Sequence, residues 1–284
     1  MVQKQQPPIE QPEPIPSDGV AVDGSHPQHT LLVVEDNLEM QAFIRRQLMQ
    51  HYHVLTADNG QQALELLEAE EVHLVVSDVM MPIMDGLELC DRIKSDLNYS
   101  HIPVILLTAR VGMQASIQGL QQGADAYIEK PFSTDYLLAV IQNLLRSREQ
   151  LRRSYRNSPD TPASSIVISK TDDEFLQRLH AVTIAGMKNS DFSVDQMASD
   201  MAMSRSSLNR KIRAVLDLST GDYIRIERLK YAAELLSSGS YKINEVCYMT
   251  GFNTPSYFAK CFQKQFGVLP NEYGKKDPPP SPSL

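Results

Sequence analysis

Residues 31–36 read Leu-Leu-Val-Val-Glu-Asp, a short apolar run that ends in two acidic residues. Similar runs occur at Leu74–Asp78 and Val104–Thr108, and each of them also ends in a polar residue. Such runs are too short for buried helices and are apolar on both faces, which is typical of strands in a covered parallel sheet. The sequence therefore predicts three central strands with polar side chains at their carboxyl ends.

The segments between these runs predict the rest of an α/β domain. Weaker strands are expected at His53–Thr56 and Ala126–Ile128. Amphipathic helices are expected at Met40–Gln50, Gln61–Glu70, Leu87–Ser95 and Tyr136–Leu145. The alternation of five strand–helix units predicts a doubly wound, five-stranded parallel sheet over residues 29–148.

The C-terminal half of the chain has helical periodicity and no strand pattern. Six segments separated by turn signals are expected to be helices: Phe175–Met187, Val194–Met201, Ser206–Leu216, Tyr223–Leu236, Ile243–Met249 and Tyr257–Phe266. This half is therefore predicted to be an all-α domain over residues 173–274.

Three segments are predicted to lie outside the two domains. Residues 1–28, rich in Gln, Pro and acidic residues, predict a disordered linker and favour a chain cut from a longer polypeptide. Residues 275–284 predict a disordered tail. Residues 149–172 predict a helical extension and a linker. A heptad stripe from Leu137 to Tyr155 is compatible with a helix that pairs two chains, and equally with a domain helix that has a frayed basic end.

The two halves differ in charge. Residues 1–148 contain 9 Lys and Arg against 20 Asp and Glu, whereas residues 149–284 contain 18 against 15. The net charge of −8 argues against a chain that coats nucleic acid along its whole length. Three cysteines without metal-binding or disulfide spacing predict reduced thiols in the cytoplasm, and no apolar run is long enough to cross a bilayer. We therefore expect a cytoplasmic protein without membrane insertion.

The predicted strand ends bring acidic residues together. Glu35 and Asp36 follow the first strand, and Asp78 ends the third. Ligands collect at the carboxyl ends of parallel strands, and Mg²⁺ relieves the repulsion between clustered carboxylates. Thr108 and Lys130 end the last two strands, where a hydroxyl and an ammonium suit the oxygens of a phosphoryl group. Asp78 is therefore the residue predicted to accept that phosphoryl group.

This ordered set resembles the receiver domain of bacterial two-component response regulators. The matching residues are Glu35-Asp36, Asp78 with Pro82 and Gly86 behind it, Thr108-Ala109 and Lys130-Pro131. The resemblance implies a flavodoxin-like fold, phosphate transfer to Asp78 from a histidine kinase, and a cis Lys130–Pro131 bond.

The resemblance also assigns roles to further residues. Mg²⁺ would be held by Glu35, Asp36, Asp78 and the Met80 carbonyl, while Thr108 and Tyr127 would reorient when phosphate arrives. An aspartyl phosphatase needs a second acid two positions after its nucleophile, where this chain has Met80. No ATP-binding kinase segment is recognised, so we expect a phosphoryl acceptor that is not itself a kinase.

The all-α half contains two similar segments, each a short helix, a tight turn and a capped second helix. They are Ser193–Arg213 and Lys242–Lys264. Apolar residues such as Leu208 and Phe262 mark the expected buried sides, which leaves polar side chains for a DNA major groove.

This half resembles the DNA-binding domain of AraC-type transcription regulators over residues 173–274. The most specific stretch runs from Gly251-Phe252 to Tyr273, with Arg228-Leu229-Lys230 upstream. The resemblance implies two helix-turn-helix units joined by a long helix near Tyr223–Ser237. The residues expected to contact DNA are Arg205, Ser206, Asn209, Arg210, Arg213, Pro255, Ser256, Tyr257, Lys260 and Lys264.

Together the two resemblances predict a DNA-binding transcription regulator controlled by phosphorylation of Asp78. We expect a histidine kinase partner, double-stranded DNA with repeated half-sites, and a homodimer in the phosphorylated state. Two alternatives remain open. The chain could be the cytoplasmic output end of a hybrid histidine kinase, or a phosphorelay receiver whose helical domain docks protein partners.

Overall fold

A computed structural model describes residues 29–109, 123–159, 161, 169–187 and 192–273. The predicted linker at residues 1–28 and the predicted tail at residues 275–284 lie outside these residues.

The N-terminal part is built on a five-stranded, all-parallel sheet in the order β2-β1-β3-β4-β5. Its strands are β1 (Thr30–Val34), β2 (His53–Ala57), β3 (Leu74–Asp78), β4 (Val104–Ala109) and β5 (Ala126–Lys130). All five lie where the apolar runs predicted them. Because the strands are parallel, Val34, Asp78 and Ala109 end at the same edge of the sheet.

Helices cover both faces of this sheet, which confirms the doubly wound prediction. They are α1 (Leu38–Leu48), α2 (Gly60–Ala69), α3 (Gly86–Ser95) and α4 (Thr134–Asn157). Alternate strand residues divide between two cores, because successive side chains of a strand point to opposite faces. Leu31 and Val33 pack with α1 and α4, whereas Leu32 and Val34 pack with α2 and α3.

The C-terminal part is all-α in the described residues, as predicted. Its helices are α5 (Lys170–Gly186), α6 (Val194–Asp200), α7 (Arg205–Leu216), α8 (Thr220–Ser237), α9 (Ile243–Met249), α10 (Pro255–Phe266) and α11 (Pro270–Tyr273). The helix α8 joins two cores. Its first half, with Tyr223 and Ile226, packs against α7, and its second half, with Leu229 and Ala233, packs against α9 and α10.

The helix α4 connects the two parts. It continues 12 residues past the predicted Tyr136–Leu145, to Asn157. Its first half packs on the sheet through Leu137 and Ile141, and Tyr155 is fully buried in the core of α5, α7 and α8. Both ends of the heptad stripe are therefore buried within this chain, the first in the core of the sheet and the last in the core of the C-terminal part.

Candidate functional site

Three carboxylates meet at the carboxyl edge of the sheet. Glu35 follows β1 and is buried, Asp36 is exposed beside it, and Asp78 is the buried last residue of β3. One ligand oxygen from each lies within 4.8 Å of the others. The parallel strands thus bring together side chains that are 42 positions apart in the sequence.

Lys130, at the end of β5, neutralises part of this cluster. Its Nζ lies 2.8 Å from Glu35 Oε2 and 2.9 Å from Asp78 Oδ1. Burial alone would lower the pKa of the Lys130 ammonium, but hydrogen bonds to the two carboxylates outweigh burial and raise that pKa. Burial raises the pKa of the Glu35 carboxyl, and Lys130 offsets only part of the rise. Lys130 is therefore charged and lies within hydrogen-bond distance of the Asp78 carboxylate.

Gly86 explains why the backbone after Asp78 can turn so closely. A Cβ added at Gly86 would lie 2.0 Å from the carbonyl oxygen of Asp78. The Gly86 amide also donates to the Val79 carbonyl at 2.9 Å. The side chain of Asp85 caps α3 by accepting from the Glu88 amide at 2.7 Å. This turn needs glycine, because any side chain would push the start of α3 away from Asp78.

Of the other predicted residues of this site, Thr108 and Met80 lie at the same edge, whereas Tyr127 lies three residues before Lys130 in β5, where it pairs with Leu106 of β4. The Thr108 hydroxyl donates to the Ala109 carbonyl at 3.0 Å. The Tyr127 hydroxyl is buried without a hydrogen-bond partner among the described residues, and burial raises its pKa to about 12. The Met80 side chain is 71% exposed. The Lys130–Pro131 bond is cis, as predicted.

A Mg²⁺ ion fits the chemistry of this donor set. Hard divalent cations prefer carboxylate oxygens and retain several waters, so one exposed acid beside two buried acids suits such an ion. Glu35, Asp36 and Asp78 are the residues that would hold it.

Two further helix pairs form the second candidate site. In both α6–α7 and α9–α10 the turn begins with the same backbone bond, from Met203 N to Ala198 O and from Phe252 N to Cys247 O, at 2.9 and 3.0 Å. Each turn contains a residue with positive φ, Ala202 in the first and Gly251 in the second. The two segments that share a sequence layout thus also share a backbone geometry.

The second helix of each pair has a buried and an exposed side. In α7, Leu208, Ile212 and Val215 are buried as predicted, and in α10 Phe258 and Phe262 are buried. The predicted DNA-contacting residues that the structure leaves exposed are Arg205, Ser206, Arg210, Arg213, Ser256, Tyr257, Lys260 and Lys264. Pro255 and Asn209 are half-buried. Asn209 Oδ1 already accepts hydrogen bonds from the Thr220 amide and hydroxyl at 3.1 and 3.2 Å.

Lys211 departs from the expected pattern. It lies on the buried side of α7, where its Nζ is 2.6 Å from Asp172 Oδ1. Sequence reasoning missed this pair, although the signal was present: Lys211 follows Leu208 by three positions and therefore shares its face.

A second missed group lies between α4 and the C-terminal part. The Tyr155 hydroxyl donates to Glu227 Oε1 at 2.7 Å, and His180 Nδ1 lies 2.9 Å from Glu227 Oε2. The Lys230 ammonium lies 3.7 Å from the centre of the Tyr155 ring. Burial would raise the pKa of the Glu227 carboxyl, but hydrogen bonds from His180 and Tyr155 outweigh it and lower that pKa. The ionised Glu227 carboxylate, which has a hydrogen-bond partner at each of its two oxygens, therefore links α8 to α4 through Tyr155.

Within the part of the chain that the structure describes, no helix has the length and apolarity needed to cross a bilayer.

Comparisons with known proteins find matches for both parts of the chain. A family model described as "response regulator receiver domain" matches residues 31–142, and a model described as "helix-turn-helix domain" matches residues 197–276. Histidine kinase P4 of Formosa agariphila is 38% identical over 244 residues, which are 86% of this chain and 18% of that protein. Response regulator MprA of Mycobacterium leprae is 37% identical over 143 residues, or 50% of this chain and 58% of that protein.

Among solved structures, the receiver domain of a signal transduction histidine kinase from Syntrophus aciditrophicus is 32% identical, with a TM-score of 0.41. The match covers 42% of this chain and 91% of that one. The chain thus spans less than a fifth of the Formosa kinase and little more than half of the Mycobacterium regulator. Residues 31–142 of this chain are a response regulator receiver domain, and residues 197–276 are a helix-turn-helix domain of the AraC type.

Proposed function

We propose that this chain is a transcription regulator whose binding to double-stranded DNA is controlled by phosphorylation of Asp78. The observation that carries the proposal is the presence, in one chain, of an acidic pocket with a lysine on its acceptor carboxylate and of two helix pairs with exposed basic faces. The partner that supplies phosphate is a histidine kinase, and the partner that receives the output is DNA with repeated half-sites.

The phosphoryl step uses residues of the pocket in distinct roles. An oxygen of Asp78 attacks the phosphorus of a phosphohistidine, the P–N bond breaks, and the imidazole leaves and takes up a proton. Glu35, Asp36, Asp78 and the Met80 carbonyl would hold a Mg²⁺ ion, whose positive charge would stabilise the phosphoryl oxygens. Lys130 supplies a second positive charge from a position already 2.9 Å from Asp78. Thr108 and Tyr127 respond by reorienting, which changes the surface next to β5.

The DNA step uses α7 and α10, which we call the first and second recognition helices. They would enter successive major grooves about one turn of duplex apart, since α8 spaces them. The ten residues named in the sequence analysis would contact the DNA. Among them, the Arg210 guanidinium has the hydrogen-bond donors needed to bind the edge of a guanine. Phosphorylation would favour a homodimer in the cytoplasm, in which two DNA-binding domains reach adjacent half-sites and raise the effective affinity.

Two assays test these steps separately. Incubation of the full chain with acetyl phosphate and Mg²⁺ should give a base-labile phosphoprotein, and Asp78→Asn should abolish it while the exposed Asp135→Asn should not. Selection of DNA fragments from a random pool should enrich a repeated motif, and footprinting should protect it. Labelling that persists in Asp78→Asn, or a pool without enrichment, would contradict the corresponding step.

A second candidate has its own support. The Formosa histidine kinase aligns with 86% of this chain, so both domains occur together within a much longer kinase. The same two domains would then be the output end of a hybrid histidine kinase, and phosphate would reach Asp78 from the same polypeptide. The genomic sequence upstream of Met1 distinguishes the two, because only the hybrid reading requires an in-frame kinase there.

A further inference from the structure

The two recognition helices differ in what surrounds them. The second, α10, presents Ser256, Tyr257 and Lys260 to solvent. Among the described residues, α10 forms a hydrogen bond with α4 only near its own C-terminal end, where the Gln265 side-chain amide donates to the Arg156 carbonyl. The first, α7, instead contacts the receiver domain.

The contact between α7 and the receiver is made by the loop that follows α3. Arg210 Nη2 donates to Asn98 Oδ1 at 2.9 Å. Lys211 Nζ donates to Ser100 Oγ at 2.9 Å, and Ser100 Oγ donates to Asp172 Oδ1 at 2.8 Å. Ser100, Lys211 and Asp172 are all buried. We call these five residues the interdomain seam. Since Ser100 bonds to both members of the Lys211–Asp172 pair, the seam ties the receiver to α7 and α5 together.

The end of α7 is held as well. Arg152 of α4 donates from Nε to the Val215 carbonyl at 3.1 Å and also bonds to the Ala214 carbonyl. Arg156 forms an ion pair with Asp217, the C-cap of α7, at 2.8 Å. Cations at a helix C-terminus are favourable because they face the negative end of the helix dipole. The helix is thus fixed along its length in one position against the receiver and α4.

The DNA-contacting face of α7 lines a cleft between the domains. Ser206, Asn209, Arg210 and Arg213 line one side, and receiver residues such as Glu68 and Tyr99 line the other. The cleft has a volume of about 2040 Å³. At this cleft the Arg210 guanidinium lies 2.9 Å from Asn98 Oδ1 of the receiver, a hydrogen-bond distance that leaves no room for a nucleic-acid strand between that side chain and the receiver. Duplex DNA therefore cannot reach α7 while the receiver stands opposite.

We propose that the receiver holds the first recognition helix away from DNA through the interdomain seam, so that in this conformation the chain engages DNA through the second recognition helix alone. The inference rests on the proposed DNA-binding function. Opening the seam exposes α7 and gives a second groove contact on the same duplex, and linked contacts raise affinity without any new residue.

The test compares full-length variants by footprinting on the selected DNA at fixed salt. Asn98→Ala combined with Ser100→Ala removes the receiver's side of the seam and leaves the Lys211–Asp172 pair in place. Without a phosphate donor, the wild-type chain should protect one half of the site. The double variant should protect both halves, roughly 10 base pairs apart, and bind about fivefold or more tightly. Glu88→Ala, an exposed residue of α3 outside the seam, is the matched control and should behave as wild type.

The single variant Asn98→Ala separates opening of the seam from a folding defect, because Asn98 is exposed and the buried Ser100 stays unchanged. It should show the same change to a smaller degree. A wild-type footprint that already covers both halves, or seam variants whose footprint and affinity equal those of wild type, would overturn the inference while DNA binding stands. Absence of any footprint with every variant, with or without acetyl phosphate, would instead overturn the proposed function and this inference with it.

Discussion

Replacing Tyr155 with Phe tests whether α4 is an integral part of the DNA-binding domain. The substitution removes only the hydroxyl that donates to Glu227 at 2.7 Å and keeps the ring that fills the core and lies under Lys230. Glu227 is 5% exposed, so the lost hydrogen bond is not replaced by water. A hydrogen bond to a charged group contributes about 1.5–3 kcal/mol, and we expect a loss of about 2 kcal/mol from the free energy of unfolding.

The location of the loss matters as much as its size. Tyr155 belongs to the core of α5, α7 and α8, so hydrogen exchange should quicken in residues 169–236 and stay unchanged in the strands of the sheet. In urea denaturation, the transition of the C-terminal part should move to a lower midpoint. Tyr248→Phe, at an exposed tyrosine of α9, is the matched control and should change neither measurement.

A Tyr155→Phe protein with wild-type stability would contradict this prediction, since the buried Glu227 carboxylate would then have lost a hydrogen-bond donor at no cost in stability. The prediction would also be refuted by a loss of protection confined to residues 29–148. In that case the tyrosine would stabilise the receiver, and α4 would not be part of the second core.

Three further predictions concern the acidic pocket, His101 next to the interdomain seam, and DNA. Glu35→Gln should weaken Mg²⁺-dependent labelling of Asp78, measured as the Mg²⁺ concentration at half-maximal phosphorylation; an unchanged midpoint would remove Glu35 from the metal site. Burial, followed by the charge of Lys211, holds the pKa of the His101 imidazole well below its usual range. The unfolded chain therefore binds a proton below pH 6.5 that the folded chain does not, so stability should fall from pH 6.5 to pH 5, and His101→Gln should reduce that fall; equal slopes for both proteins would contradict it. Arg210→Ala should weaken binding of the phosphorylated chain to selected DNA by about 1–3 kcal/mol and binding to random duplex by less, and an equal loss on both would limit Arg210 to a phosphate contact.

The strands and the acidic pocket were predictable because their signals are local. Apolar runs such as Leu31–Val34 mark strands by themselves, and a parallel sheet places all strand ends at one edge, so Glu35, Asp78 and Lys130 meet. The distribution of buried residues between the two faces follows from alternation alone.

The contacts between the domains were not predictable from the same signals. Lysine is seldom buried, so the position of Lys211 on the same face as Leu208 was not enough to predict its pair with Asp172, which lies 39 positions away in the sequence. Tyr155 is the last residue of the heptad stripe, and such a stripe is equally compatible with pairing to a second chain and with packing inside one chain. Its hydrogen-bond partner, Glu227 of α8, lies 72 positions later in the sequence. These pairings depend on the arrangement of two domains, which periodicity within one segment does not encode.

The most direct test of the account is the affinity of the full chain for its selected DNA before and after phosphorylation of Asp78. At constant salt and Mg²⁺, acetyl phosphate should tighten binding of the wild-type chain by about fivefold or more and leave the Asp78→Asn chain unchanged. Equal affinities of the wild-type chain in the two states, with phosphorylation verified on the same sample, would contradict the claim that the receiver controls the DNA-binding domain.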